Sequence, residues 1–378
     1  MKDAIMTDWT QALRDLGPRF ASRAADHDEE DRFVGENIAE LRRERLYSAL
    51  VPTELGGGGL TYTEMCGFLR ELGGYCSSTA LAFSMHQHLV AAAVWNHLHG
   101  RPGEKLLRAV AADEKVLVST GANDWLSSSG RLEATEGGFL FSGRKSFASG
   151  SPAGHLLITS GQYDDPEHGP QVLHFPVPMT ATGVRIDEVW KAMGMRGTGS
   201  HTVVLENVFV PAESVALRRP RGQYHPVWNI VLTVALPLIC SAYLGVAEAA
   251  ARKARESAGR RGDDGFTAIL VGKMENELTT ARIGWESMVA LARDFDFEPD
   301  TSRANEILIR KTIVTQAVIR AAEKALEVTG GGGYFRSMGL ERLFRDAMAG
   351  QFHPLPPSKQ HRFTGRLAMG LDNPIGDL

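Results

Sequence analysis

Three histidines and a serine are the side chains best suited to handling a proton at neutral pH. His86 and His88 sit two apart in the apolar run from Ala80 to His99. His353 opens the stiff segment His353-Pro354-Leu355-Pro356-Pro357, and Ser149 lies between Ala148 and Gly150. Imidazole titrates near neutrality and a hydroxyl both donates and accepts, so this set suits proton relay or hydrogen bonding to a polar ligand. Residues two apart on a helix do not share a face, so one of His86 and His88 is a surface or core histidine. His353 could instead shape a subunit contact, and Ser149 could be only a turn residue. Gly330-Gly331-Gly332-Gly333 ends a helical pattern. It can bring backbone N–H groups against a phosphate or an adenine, or serve as a flexible C-cap with no ligand. Cys66, Cys76 and Cys240 have neither metal-ligand spacing nor an even-numbered disulfide framework, so free thiols, a reducing compartment and no metal are expected.

Periodicity and composition indicate the elements that must carry these groups. The chain has 378 residues, 43% hydrophobic and 23% charged, enough for two or three packed units of ordinary globular composition. A net charge of −4 argues against nucleic acid as a partner. Arg218, Arg219 and Arg221 read as a solvated loop, with a phosphate-binding role as the alternative. Up to about residue 112 the pattern is helical. Trp9, Leu13, Leu16 and Phe20 recur near one turn, and a second helix runs around Ile38 to Leu46. The turn Gly56 to Gly59 follows, then a helix capped by Thr61 or Thr63, and another opened by Ser77-Ser78-Thr79.

After Asp113 the texture becomes that of short antiparallel strands: Val116–Val118, Arg131–Thr135, Gly138–Ser142, His155–Ser160, Val172–Val177 and Val203–Val210. Helical periodicity returns beyond Trp228, and Ile309, Ile313, Ala317, Ala321 and Ala325 fall on one face. The expected division is 1–112, 113–222 and 223–378. Val227 to Ala250 is nearly uncharged, but Asn229, Thr233, Pro237 and Ser241 interrupt it, which suits a helix buried in a core better than a membrane span. The start, Met1-Lys2-Asp3-Ala4, has no signal-peptide pattern, so a soluble cytoplasmic protein is expected.

Several stretches, in order, resemble the acyl-CoA dehydrogenase superfamily. Val51-Pro52-Thr53-Glu54-Leu55-Gly56-Gly57, Arg70-Glu71-Leu72-Gly73 and Ser77-Ser78-Thr79-Ala80 resemble its N-terminal domain. Phe141 to Gly150 resembles its flavin strand, and Gly194 to Ser200 with Val208-Phe209-Val210-Pro211 its following loop and strand. Gly330 to Tyr334 with Glu341-Arg342-Leu343-Phe344-Arg345-Asp346-Ala347 resembles its C-terminal signature. The resemblance implies an α+β fold: an N-terminal helical domain, a middle antiparallel β-barrel and a C-terminal four-helix bundle. It also implies a flavin, FAD or FMN, and a homo-oligomer, dimer or tetramer. Phe147 would form the aromatic wall, Ser149 would contact the flavin edge, and Gly330, Gly331 and Gly333 would approach a cofactor, often that of a neighbouring subunit. The family's diphosphate and adenine pattern is poorly kept in Arg260-Arg261-Gly262-Asp263-Asp264-Gly265-Phe266, which leaves FAD against FMN open.

Dehydrogenases of this family remove an α-proton with a glutamate, and that chemistry needs a carboxylate beside the substrate. By the resemblance, the usual glutamate position falls on Pro354 and the alternative one on Ala235. Neither can abstract a proton. The superfamily's flavin monooxygenases, among them dibenzothiophene monooxygenase, use reduced flavin from a partner reductase and O2. The counterparts of their flavin-facing groups are His353, Ser149 and one of His86 and His88. The leading expectation is therefore a monooxygenase acting on a small organic substrate. The alternatives are an acyl-CoA or acyl-carrier dehydrogenase with a non-standard base, and a non-catalytic flavin-binding homologue.

Overall fold

The computed structural model describes residues 9–121, 124–262 and 264–371. Met1 to Ala4 and Asp263, both used above, lie outside them. The chain opens with five helices: α1 (Trp9–Glu29), α2 (Gly35–Arg43), α3 (Tyr62–Tyr75), α4 (Ser77–Leu98) and α5 (Glu104–Asp113). Thr61 caps α3 in a full capping box with Glu64, satisfying two otherwise orphaned N–H groups. Ser77 does not cap α4. It is the first helical residue, and its hydroxyl donates to Asp346 across the molecule.

Eight strands follow: β1 (Leu117–Ser119), β2 (Arg131–Thr135), β3 (Gly138–Ala148), β4 (Leu156–Asp165), β5 (Gly169–Pro178), β6 (Val184–Asp187), β7 (His201–Pro211) and β8 (Leu217–Pro220). They form one sheet in the order β6-β7-β3-β2-β4-β5-β8, with β1 also on β4. The ladders are antiparallel except β1–β4 and β2–β4, which are parallel, so the unit is a mixed sheet rather than a purely antiparallel barrel. The physical reason is that β1 and β2 run in the same direction, along one edge of β4, while β5 takes the other edge. Alternating residues of these strands, including Phe141, Leu157, Leu173, Phe175 and Val203, fill a separate sheet core.

The C-terminal unit has α6 (Val227–Arg261), α7 (Gly265–Ala292), α8 (Thr301–Thr329), α9 (Leu340–Met348) and α10 (Pro357–Ala368). Helix α6 is long and apolar enough to cross a membrane, yet α3, α4, α7, α8 and α9 enclose it. That packing explains its lack of a polar face. On α8 the buried face runs through Ile307, Lys311, Val314, Val318 and Ala321, while Ile313 points outward and is 43% exposed. Of the expected face, Ala317, Ala321 and Ala325 are buried, whereas Ile313 is turned outward and Ile309 is only partly covered.

Candidate functional site

A cavity of about 440 Å³ lies where α4, the end of β3, α6 and the segment after α9 meet. That size is ordinary for a small-molecule site. Its lining is mostly carbon, and among the described residues it contains no Asp, Glu, Lys or Arg. Both positions aligned with a catalytic glutamate, Pro354 and Ala235, face this cavity. The absence of a carboxylate there is therefore a property of the pocket itself.

The flat walls are aromatic. Phe147 is 57% exposed and carries a φ of 59°, a left-handed conformation costly for a bulky residue. Its ring meets Trp190 edge-on with centroids 6.2 Å apart, and Trp190 Nε1 donates to the Met195 carbonyl at 3.1 Å. Across the cavity Trp125 and Trp228 stack at 5.4 Å, and Trp228 Nε1 donates to the Trp125 carbonyl at 3.0 Å. Helix α6 adds Val231, Leu232, Ala235, Leu236 and Ile239, at spacings that place them on one face.

Arg219 holds the Trp125 segment from behind. Its guanidinium donates to the carbonyls of Asp124 at 2.6 Å, Ser127 at 3.1 Å and Leu126 at 3.3 Å, and to His174 Nε2 at 2.9 Å. Arg219 is fully buried on β8. This corrects its reading as part of a solvated loop. The sequence shows only an arginine beside others, and its partners come from a segment far back in the chain. Burial pushes its pKa down to about 10.

The polar edge is a chain of hydroxyls. Ser149 Oγ and Ser200 Oγ are 2.8 Å apart, Ser200 and Thr198 2.7 Å, and Thr198 Oγ1 donates to the Met195 carbonyl at 2.9 Å. The carbonyl can only accept, so Thr198 spends its proton there. Ser200 must then donate to Thr198, and Ser149 to Ser200. Ser149 is left to present lone pairs, not a proton, to the cavity. Both Ser149 and Ser200 line it.

The histidines separate by role. His86 Nδ1 accepts from Leu117 N–H at 3.0 Å, which fixes Nε2 as the protonated nitrogen donating to the Tyr47 carbonyl at 2.8 Å. With both nitrogens used on backbone, and with no share in the cavity lining, His86 is placed as a structural tie between α4 and β1. His88 does line the cavity. Its buried Nδ1 has no aligned partner, although the Ser84 carbonyl one turn back lies close enough to favour a proton. His353 also lines the cavity, and Tyr243 Oη lies 2.8 Å from its Nε2. Burial keeps the Tyr243 phenol protonated well beyond its usual range, so a neutral phenol shares this hydrogen bond with the imidazole and holds the His353 ring at the cavity. Burial pushes His353 down to about 3, with the charge of Lys311 and His88 adding to it, and burial takes His88 to about 4. Both are neutral imidazoles near pH 7. No short-range pattern marks Tyr243, which sequence reading missed; its position one helical row from Ile239 on α6 is its only signal.

The glycine run lies elsewhere. Gly330, Gly331 and Gly332 are exposed on the far side of α8, and Gly332 edges a separate depression with Lys253, Glu256, Arg260 and Phe335. Within one chain these glycines do not meet Phe147, Ser149, His88 and His353.

The cavity fits a flavin ring on its own terms. Two aromatic walls suit a flat system, the Ser149 lone pairs suit an N–H on its edge, and the buried hydroxyl of Ser119, a residue lining the space, has no aligned partner among the described residues. A helical unit, a mixed sheet and a helical bundle meeting at such a cavity define a flavin-dependent oxidoreductase. The chain matches the acyl-CoA dehydrogenase N-terminal domain over residues 10–114 and the C-terminal domain over residues 238–355. It belongs to the acyl-CoA dehydrogenase superfamily.

L-evernosamine nitrososynthase of a Micromonospora species is 30% identical, with 94% of this chain and 88% of that protein covered. Dibenzothiophene monooxygenase of Mycolicibacterium goodii is 25% identical, with 97% and 95% covered. The structure of KijD3 in complex with FMN and a dTDP-amino sugar superimposes with a TM-score of 0.87 at 26% identity, covering 96% of this chain and 93% of that one. The relatives also include isovaleryl-CoA dehydrogenases. Likeness alone does not choose between dehydrogenation and oxygenation.

Proposed function

We propose that this protein is a flavin-dependent monooxygenase that takes reduced flavin from a partner reductase and transfers one atom of O2 to a small uncharged organic substrate. The carrying observation is the cavity lining: Pro354 and Ala235 occupy both base positions, and no carboxylate stands in for them among the described residues. Reduced flavin, when bound, supplies the electrons that activate O2. The chain's own residues do the rest. Phe147 and Trp190 seat the ring, and Ser149 accepts a hydrogen bond from its N–H edge. His353, held by Tyr243, and His88 would offer imidazole nitrogens to polar groups of the reacting ligand. The apolar face of α6 excludes water, which would otherwise divert the reaction.

FMN is the cofactor this reading favours. FMN is bound by the similar KijD3, and the pattern that holds the adenine half of FAD is poorly kept at Arg260 to Phe266. A cytoplasmic setting fits the buried free thiols of Cys66, Cys76 and Cys240. A homo-oligomer, dimer or tetramer, fits the exposed Phe266, Ile269 and Ile283 of α7 with Tyr334 and Phe335 beyond α8. Light scattering coupled to size exclusion reads that state directly.

The functional test is to load the protein with reduced FMN without oxygen, then mix it with isotopically heavy O2 and a panel of phenols, amines and sulfur heterocycles. A product carrying one heavy oxygen is expected. Hydrogen peroxide alone with every substrate, or bleaching of oxidised flavin by an acyl-CoA, would overturn the reading. Failure to bind either FMN or FAD would instead favour a non-catalytic homologue.

A further inference from the structure

Lys311 is 1% exposed in the middle of α8, yet it makes no ion pair among the described residues. Buried cations are ordinarily paired, because removing a charge from water is expensive. Here the compensation comes from main-chain carbonyls alone. Lys311 Nζ donates to the carbonyl of His353 at 2.7 Å and of Leu355 at 3.0 Å, and it approaches that of Gln351 at 3.5 Å. His353 (ψ 146°) and Pro356 (ψ 155°) are extended. The short helical turn Ala349–Phe352 gives way to extended backbone at His353, and the carbonyls of residues 351, 353 and 355 all lie against the Lys311 ammonium. Prolines 354, 356 and 357 remove N–H donors from the same stretch, leaving it rich in acceptors and poor in partners.

We propose that Lys311 is a positioning residue: its ammonium gathers the carbonyls of residues 351–355 and so fixes the turn that suspends His353 in the cavity against Tyr243. The proposal rests on the reading of His353 as a cavity hydrogen-bonding group. Lys311 itself does not line the cavity, so it acts through the backbone. On the opposite side Gly350 keeps the turn close. A side chain there would come within 3.2 Å of Thr315 and 3.5 Å of Tyr243. The buried hydrophobic Leu355 anchors the other end. A methionine at 311 would fill the same volume and leave three carbonyls without a donor, so the turn would repack.

The test uses the full-length protein with carbon-labelled histidine, the His353 signal being assigned by its loss in His353→Gln. In folded Lys311→Met the His353 resonance is expected to shift or split and to titrate nearer the ordinary histidine range, while His86 and His174 stay put. Lys311→Gln, which keeps two N–H donors and carries no charge to bury, should show a smaller change, and it serves if the methionine variant does not fold. With reduced FMN and a substrate that reacts, product per flavin consumed should fall by up to about 100-fold, the scale of a small misplacement of a reacting group. An unchanged His353 resonance and titration in whichever variant folds overturns the proposal. If the wild type fails the oxygen-transfer test, the monooxygenase reading fails, and the resonance comparison still decides the role of Lys311.

Discussion

Ser149 meets the cavity with lone pairs because the two hydroxyls behind it, Ser200 and Thr198, are polarised by one carbonyl. The oxidised flavin edge offers a bare nitrogen where the reduced one offers an N–H. Turning the chain around to serve the oxidised form would forfeit the Thr198–Met195 bond. One such bond is worth about 1 kcal/mol, or about fivefold in affinity. Thr198→Val should therefore reduce the preference for reduced over oxidised FMN by about fivefold, read by anaerobic and aerobic titrations. An unchanged ratio would show that the chain turns freely.

At the same scale, Tyr243→Phe should leave binding of FMN nearly unchanged and lower product formed per flavin by about tenfold, since it removes the hydroxyl that holds His353 without altering the walls. A matching loss of FMN affinity would place Tyr243 in binding instead. The residues His353, Ser149 and Phe147 were legible because each sits in a short, recognisable stretch. Tyr243, Thr198, Ser200 and Lys311 were not. Their roles depend on partners contributed by distant segments, such as Met195 for Thr198 and the 351–355 turn for Lys311. His86 shows the converse limit: spacing says that it and His88 face apart, but not which one meets the cavity.

Among the elements, α6 was read correctly as a core helix because a continuous apolar run with no polar stripe has few alternatives. Strands β6 and β8 escaped notice. Val184-Arg185-Ile186-Asp187 alternates but spans only four residues, and Leu217-Arg218-Arg219-Pro220 is half arginine, so one is too short and the other too polar to stand out. The cost of missing β8 was Arg219, whose burial turns an apparent surface cluster into the brace of the Trp125–Trp228 wall. Arg219→Met should lower stability by roughly 2–4 kcal/mol through carbonyls left without donors. It should also alter the tryptophan fluorescence of the folded protein. A folded variant with native fluorescence and stability would remove Arg219 from that role.

For the whole molecule, acid is the expected weak point. His86, His174 and His353 are held near 3 and His88 near 4, each chiefly by burial. Their folded pKa values lie below the usual 6.5, so the stability they carry is present above pH 6.5 and is lost as pH falls toward 3 to 4. Over that interval the unfolded chain takes up protons that the folded one refuses. Asp346 works the other way: burial raises it to about 6, so the folded state gains a proton first between about pH 6 and 4. Four groups against one leave a net loss on the order of a few kcal/mol per pH unit below pH 6. Urea midpoints should fall steeply from pH 6.5 to 4.5, and His174→Gln or His86→Gln should flatten the slope even where it lowers the maximum. A flat profile would mean that these imidazoles remain solvated.

Arg345 and Asp346 join parts of the chain made far apart in time. Arg345 grips Asp28 of α1 at 2.5 and 3.0 Å, while Asp346 accepts from Ser77 of α4 and from Met195 N–H at 2.5 Å. His353 follows seven residues after Asp346. On the ribosome, then, the helices and the sheet emerge long before the clasp that orients them, and the cavity closes only once the chain has been made out to His353. A nascent chain stalled before α9 would expose the apolar walls of its own pocket to solvent. Cofactor capture is therefore expected to require the chain out to His353, and a product that stops before α9 is expected to aggregate rather than to be partly active.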